Sequence, residues 1–151
     1  IGCGYGPFLP YLVNRFPNKD FTYTGFEIAE KPLNYCRKTY QASNVFFKLG
    51  NLPNKLSDFN VMSGTYNYAP VLSPTVWQDY LFKNLTQIWN YSRLGIIFNI
   101  SVAEAPKITT QNISYFSQGN VMKFCQNKLG KTTLIFSDDL PKEATFSIFR
   151  S

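Results

Sequence analysis

Apolar residues recur along the chain with two alternating periods. Positions 8, 9, 12, 13 and 16 are apolar and predict a helix over residues 7–16, whereas the near-alternating residues 21–28 are typical of a strand. The same patterns predict helices over residues 29–40, 75–93 and 117–129, and strands over residues 45–49, 59–63, 94–100, 131–137 and 144–150. This alternation predicts an α/β fold.

Two segments refine that prediction. The nearly continuous apolar run at residues 94–100 is typical of a strand that helices cover on both faces. Residues 101–116 are polar and lose the periodic pattern, so we expect an insertion that covers a substrate.

The last two predicted strands are joined by a predicted turn at residues 138–143, and we expect them to form a terminal hairpin.

The composition is that of one packed globular domain over residues 1–151, with 44% hydrophobic and 17% aromatic residues. A net charge of +6 permits a nucleic-acid partner but does not favour one, because the basic residues are scattered. Cys3, Cys36 and Cys125 lack the spacing of a zinc site or a disulfide framework, which suits a reducing, cytoplasmic location. We expect no metal and no membrane span, and histidine is absent.

Three glycines, Gly2, Gly4 and Gly6, alternate directly before the first predicted helix. Such glycines are expected where the backbone takes positive φ or lies against a ligand, and the following helix N-terminus offers free N–H groups. The dinucleotide-binding fingerprint would need a glycine at position 7, where the chain has Pro7. Glu27 ends the next strand, about 20 residues on, where a carboxylate can accept the hydroxyls of a ribose. These features indicate a nucleoside-like ligand, and Glu27 alone does not distinguish among such ligands.

The G-x-G-x-G pattern resembles the first motif of class I S-adenosylmethionine-dependent methyltransferases. The resemblance implies a Rossmann-like, doubly wound, mostly parallel sheet with a C-terminal antiparallel hairpin, whose last strand lies between the fifth and sixth. The acidic residue of that motif would precede Ile1. We therefore expect a domain truncated at its N-terminus, with its first strand largely missing.

The family resemblance also implies a reaction and a cofactor site. The protein is expected to transfer a methyl group from S-adenosylmethionine to a small-molecule or sugar-like acceptor and to release S-adenosylhomocysteine. The glycine loop would hold the methionine part, Glu27 the ribose, and Asn51 with Leu52 the adenine. The cofactor-binding candidates are Gly2, Cys3, Gly4, Tyr5, Gly6, Glu27, Ile28, Asn51, Leu52, Ser63 and Gly64.

Residues that orient or deprotonate the acceptor are expected at the strand ends and on the final hairpin. The candidates are Tyr66, Asn67, Tyr68, Asn99, Asp138 and Asp139. The sequence at residues 67–70 departs from the D/N/S-P-P-Y/F motif of methyltransferases that act on DNA bases. Two other functions stay open, an NAD(P)-dependent oxidoreductase and a basic RNA-binding module without catalysis. Neither the acceptor nor the oligomeric state can be read from the sequence.

Overall fold

The computed structural model describes residues 1–150, and its contacts divide the chain into two compact units. The first unit is Ile1–Pro53, and the second begins at Asn54. A single methyltransferase domain over the whole chain stays a prediction.

The first unit is a pair of parallel strands with two helices. Its elements in chain order are α1 (Phe8–Arg15), β1 (Tyr23–Glu27), α2 (Glu30–Thr39) and β2 (Val45–Leu49). The strands pair in parallel, with Gly25 opposite Phe47 and Glu27 opposite Leu49. Both strands therefore end at the same edge, where Glu27 and the residues after Leu49 lie.

The core of the first unit packs residues of both helices against the sheet. Leu9 of α1, Leu33 and Cys36 of α2, and Phe47 of β2 form its buried cluster. Gly25 is required by this packing, because a Cβ there would lie 2.8 Å from the Phe47 ring. The sequence pattern predicted all four elements, with ends that differ by one or two residues.

The second unit is built on a six-stranded mixed sheet. Its elements are β3 (Ser57–Ser63), α3 (Pro74–Asn90), β4 (Ser92–Ala103), β5 (Lys107–Ile108), β6 (Ser114–Ser117), α4 (Gln118–Lys128), β7 (Lys131–Phe136) and β8 (Glu143–Phe149). The sheet order is β5-β6-β4-β8-β7, and β3 pairs in parallel with β4. The last strand, β8, lies antiparallel between β4 and β7, which is the arrangement that the family resemblance implied.

The central strand β4 and its neighbour β8 form the core of this sheet. Phe98 and Phe146 are fully buried and stack with their ring centroids 5.0 Å apart. Arg150 fixes the end of α3 to the start of β4, because its guanidinium donates to the carbonyls of Trp89 and Ser92. It also lies 4.2 Å from the centroid of the Trp89 ring. These contacts hold the end of α3, which lies at Asn90 and not at the predicted position 93.

Residues 101–116, to which the apolar pattern assigned no helix or strand, contain strand structure. Residues 101–103 continue β4, and β5 with β6 adds two short strands beside it. The strand pattern was hidden because Ser101 and Ser114 are buried polar residues, which a hydrophobic pattern does not reveal. A role in covering a substrate stays a prediction for this segment. Within residues 1–150, no helix has the length and apolar character that a membrane span requires.

Candidate functional site

The glycine loop is held against the end of β1 by backbone contacts. Gly2, Gly4 and Gly6 have φ values of 62°, 54° and 77°, in the left-handed region that favours glycine. The N–H of Cys3 donates to the carbonyl of Phe26 at 3.0 Å, and the N–H of Gly6 donates to the carbonyl of Cys3 at 2.9 Å. The loop therefore has a defined conformation that ends at the N-terminus of α1.

Glu27 joins this loop to the start of α2. Its side chain is only 8% exposed. Its Oε2 accepts from the N–H of Gly4 at 2.8 Å, and its Oε1 accepts from the N–H groups of Ile28 at 2.8 Å and Ala29 at 3.0 Å. A carboxylate has about four acceptor positions, and these bonds use three of them. One position on Oε2 remains for a ligand, so two hydroxyl contacts would require a shift of one backbone donor.

Gly4 presents an open surface inside this rigid loop. Apart from the neighbours of Gly4 in the chain, no residue places an atom within 4 Å of the position that a Cβ would take at Gly4. Its N–H is bound by Glu27, and its carbonyl accepts from the Cys36 thiol at 3.3 Å. The contacts with Glu27 and Cys36 thus fix the peptide groups of Gly4. The side of its Cα where a Cβ would stand, here called the Cα face, is open to a ligand. Tyr5 beside it is half exposed and contacts the ring of Tyr35 edge-on at 5.3 Å.

The end of β2 completes the same edge of the first unit. The N–H of Gly50 donates to the backbone carbonyl of Glu27 at 3.0 Å. Asn51, which is exposed, and Leu52, which is half-buried, follow directly. Ile28 is 72% exposed beside Glu27. The first unit therefore brings its predicted cofactor residues together at the carboxyl edge of β1 and β2.

The two remaining cofactor candidates lie in the second unit, at the carboxyl end of β3. Ser63 is exposed and pairs in register with Asn99 of β4. Gly64 has a φ of 64° and donates its N–H to the carbonyl of Asn99 at 3.1 Å. This turn lets the chain leave β3 and continue into the segment that carries Tyr66, Asn67 and Tyr68.

Tyr66 is buried within an aromatic cluster. Its ring contacts Trp77 and Tyr80, and its carbonyl accepts from the Trp77 indole N–H at 2.8 Å. Burial, with a smaller contribution from Tyr80, raises the pKa of Tyr66 above its usual value of 10. The phenol is therefore protonated near neutral pH, which suits hydrogen-bond donation and does not suit a role as general base.

Asn67 is the centre of a hydrogen-bond network that links three segments. Its Oδ1 accepts from the N–H of Ser101 at 2.9 Å, its Nδ2 lies 3.5 Å from an oxygen of Glu143, and its carbonyl accepts from the N–H of Ser114 at 2.8 Å. The Asn67 side chain thus satisfies the backbone N–H of the buried Ser101, where the 101–116 segment begins. These contacts give Asn67 a structural role besides the predicted one.

We expect Asn67→Ala to destabilise the protein by about 1–3 kcal/mol, because the N–H of the buried Ser101 loses its acceptor. Asn67→Asp keeps an acceptor for the N–H of Ser101, but it replaces the donor to Glu143 by a second carboxylate and should also lose stability. Urea denaturation of both variants measures the difference. If Asn67→Ala had unchanged stability and reduced turnover, the side chain would act on the acceptor and not on the fold.

The other acceptor-side candidates are spread over the second unit. Tyr68 is 59% exposed, and its hydroxyl accepts from Asn112 Nδ2 at 3.3 Å. Asp138 and Asp139 are exposed in the turn between β7 and β8. That turn follows the carboxyl end of β7, which runs parallel to β4 because each is antiparallel to β8. It therefore lies at the carboxyl edge of this sheet, as predicted.

The structure also shows a cavity that the sequence did not reveal. It has a volume of about 370 Å³ and lies where β4 ends, between α4 and the β7–β8 hairpin. Val102, Phe136 and Pro141 line it with apolar surface, and Glu104 and Gln118 add a carboxylate and an amide. Its lining residues are far apart in the sequence, so no local pattern indicated the cavity. Within residues 1–150, no group of three or more Cys, Asp and Glu side chains could hold a metal.

Comparison with known proteins connects this architecture to a class of enzymes. No protein-family model matches the chain. A Mycobacterium tuberculosis (strain ATCC 25618 / H37Rv) protein named "Putative methyltransferase Rv1506c" is 25% identical over 141 residues, which cover 91% of this chain and 83% of that protein. The structure of magnesium protoporphyrin IX methyltransferase (ChlM) from Synechocystis PCC 6803 with bound S-adenosylmethionine has a TM-score of 0.70 at 12% identity and covers 99% of this chain. This chain covers 67% of ChlM.

Two further structures are similar over 99% of this chain, each at 13% identity. One is described as a pericyclic reaction enzyme and has a TM-score of 0.70, and the other is LepI in complex with S-adenosylmethionine, with a TM-score of 0.72. The chain spans only 42% of the length of each.

These likenesses confirm the fold class that the sequence implied, the Rossmann-like fold of class I methyltransferases. The resemblance to class I S-adenosylmethionine-dependent methyltransferases is also confirmed, since the curated relative and ChlM are named methyltransferases. The predicted cofactor agrees with the S-adenosylmethionine found in LepI and ChlM.

Proposed function

We propose that the protein binds S-adenosylmethionine at the carboxyl edge of β1 and β2 and transfers its methyl group to a small-molecule or sugar-like acceptor. One observation carries this proposal. The buried Glu27 carboxylate fixes the glycine loop through the N–H of Gly4, while the Cα face of Gly4 remains open. A loop with no ligand would have little need for three left-handed glycines held in this way.

The residues of this edge suit the parts of the cofactor in turn. The backbone of Gly2, Cys3, Gly4, Tyr5 and Gly6 would hold the methionine part, with the N-terminus of α1 behind it. The free acceptor position of Glu27 would accept from a ribose hydroxyl. Ile28 and Leu52 offer apolar surface, and Asn51 an amide, for the adenine. Ser63 and Gly64 belong to the second unit and stay predicted cofactor-binding residues.

Methyl transfer depends mainly on how the acceptor and the methyl donor are positioned. S-adenosylmethionine, when bound, supplies a methyl group activated by its sulfonium. The chain must hold the acceptor in a reactive orientation and exclude water, which can contribute several kcal/mol to the rate. Tyr66 is buried and the Asn67 amide is bonded to Ser101 and Glu143, whereas the partly exposed amide of Asn99 can orient a polar acceptor. Because the chain has no histidine and Tyr66 has a raised pKa, we assign no general base among these groups.

We assign acceptor recognition to the cavity at the end of β4. Its volume of about 370 Å³ falls within the range of small-molecule sites, and ligands of open α/β sheets bind at the carboxyl ends of strands. Glu104 and Gln118 can bind hydroxyl or amino groups, which supports a polar small molecule.

All three cysteines are free thiols, and we propose a cytoplasmic location on that ground.

The proposal is tested by incubating the protein with methyl-labelled S-adenosylmethionine and separate panels of sugars, phenols, small amines and RNA. Release of S-adenosylhomocysteine and label transfer are measured together by mass spectrometry. We expect both with one class of small molecule. Methylation of RNA alone would contradict the acceptor class. NADH-dependent reduction of a substrate without label transfer would favour the oxidoreductase instead.

A further inference from the structure

Two cysteine side chains lie directly behind the open face of the glycine loop. The sulfurs of Cys3 and Cys36 lie 3.8 Å and 3.3 Å from the carbonyl oxygen of Gly4. A pair of thiols therefore meets at the same backbone atom of the proposed cofactor loop.

Each thiol of this pair lies beside a glycine that leaves space for the sulfur. The sulfur of Cys36 lies 3.1 Å from the position that a Cβ would take at Gly6, and that of Cys3 lies 2.9 Å from the corresponding position at Gly25. Cys36 is fully buried, whereas Cys3 is partly exposed. An external reagent would thus reach Cys3 first, and Cys36 would be its nearest reaction partner.

The Cys36 thiol is one of two anchors for Gly4. Glu27 binds the N–H of Gly4 and Cys36 binds its carbonyl, so the residue is fixed on both sides. Loss of the thiol hydrogen would leave that carbonyl without its Cys36 donor. The cofactor loop would then depend on the Glu27 contact and on the turn between Cys3 and Gly6.

We propose that Cys3 and Cys36 form an oxidation-sensitive modification site whose disulfide weakens cofactor binding. The inference rests on the proposed function, because it assumes that the loop around Gly4 binds S-adenosylmethionine. In a disulfide the sulfurs approach to about 2.05 Å and both S–H donors are lost. The sulfurs would be drawn together, and the carbonyl of Gly4 would lose its thiol donors.

The reaction needs an oxidant, for which we name a low-molecular-weight azo compound such as diamide. The Cys3 thiolate adds to one nitrogen of the N=N bond, and the Cys36 thiolate then attacks the Cys3 sulfur and displaces the reduced hydrazide. Two S–H bonds break and one S–S bond forms, while the azo group gains two hydrogens and two electrons. Burial, with smaller contributions from Cys36 and Glu27, raises the pKa of Cys3 to about 11, so the pair resists mild oxidants near neutral pH.

The experiment treats the purified chain with excess diamide and removes the reagent. Free thiols are then blocked under denaturing conditions, and the disulfide is mapped by mass spectrometry. We expect a peptide pair joined through Cys3 and Cys36, at least about tenfold weaker S-adenosylhomocysteine binding, and recovery of both with dithiothreitol. Cys36→Ser should give no such disulfide. Cys125→Ser is the matched control and should respond like the unmodified chain, because Cys125 lies on α4 in the other unit.

Amide hydrogen exchange gives a readout that does not require the cofactor. Oxidation should change the exchange rates at Gly4 and Tyr5, because the Gly4 carbonyl loses its thiol donors while a covalent bond ties Cys3 to α2. Full alkylation of Cys3 and Cys36 after diamide treatment would overturn the inference. So would a mapped disulfide that changes neither exchange nor binding. If the reduced chain failed to bind S-adenosylhomocysteine, the proposed function would fail, while disulfide mapping and exchange would still decide whether this site exists.

Discussion

Glu27→Ala is expected to lower the affinity for S-adenosylhomocysteine by about 10- to 100-fold. Hydrogen bonds to a charged group contribute roughly 1.5–3 kcal/mol, and about 1.4 kcal/mol corresponds to a factor of ten. The substitution removes the proposed ribose acceptor and also releases the N–H of Gly4, which the carboxylate now holds at 2.8 Å. Calorimetric titration measures the loss of affinity.

A second variant at position 27 separates the effect of charge from that of shape, and a variant at position 30 is the control. Glu27→Gln has nearly the same shape, but its amide group places a donor against either Gly4 or the N–H groups of Ile28 and Ala29. We expect an affinity between those of the alanine variant and the original chain. Glu30→Ala is the control, since it removes an exposed carboxylate in the first turn of α2. Equal affinities for a folded Glu27→Ala and Glu30→Ala would disprove the role of Glu27.

Gly4→Ala should mainly weaken cofactor binding and Gly6→Ala should mainly destabilise the fold, although both glycines have positive φ. At Gly4 a methyl group meets no atom within 4 Å apart from those of its chain neighbours, so the fold should lose only about 1–2 kcal/mol from the left-handed backbone. The methyl group would occupy the face assigned to the cofactor. We therefore expect a folded Gly4→Ala variant with at least about tenfold weaker S-adenosylhomocysteine binding.

At Gly6 the methyl group would lie 2.8 Å from a ring carbon of Tyr40 and 3.1 Å from the sulfur of Cys36. Gly6→Ala should therefore lose more stability than Gly4→Ala, since crowding adds to backbone strain. Thermal denaturation and calorimetry of the two variants give both quantities. A folded Gly4→Ala variant that binds as tightly as the original chain would show that no ligand approaches this face.

Much of the fold could be predicted from the sequence because the apolar spacing is strong. The stripe that includes Trp77, Leu81 and Leu85 predicted α3, and Ser73 with Pro74 marked its start, where Ser73 Oγ accepts from the N–H of Val76. The glycine loop and Glu27 could also be found, since few other structures need three alternate glycines followed by a carboxylate at a strand end. These signals are local in the sequence.

Other features depend on contacts between distant residues and could not be predicted. Asn67 was selected as an acceptor-side residue, and its bonds to Ser101 and Ser114 become visible only when the sheet is assembled. The approach of Cys36 to Gly4 joins residues 32 positions apart. The competition of backbone N–H groups for the Glu27 carboxylate was likewise hidden, because residue type alone does not show which acceptor positions are already used.

The most direct test of the central claim is calorimetric titration of the purified chain with S-adenosylhomocysteine, with NADH as the control ligand. The account predicts binding of S-adenosylhomocysteine in the range of about 1 μM or tighter, which is roughly −8 kcal/mol, and no binding of NADH. Binding of NADH alone, or of neither ligand by a folded sample, would contradict the assignment of the glycine loop and Glu27 to S-adenosylmethionine.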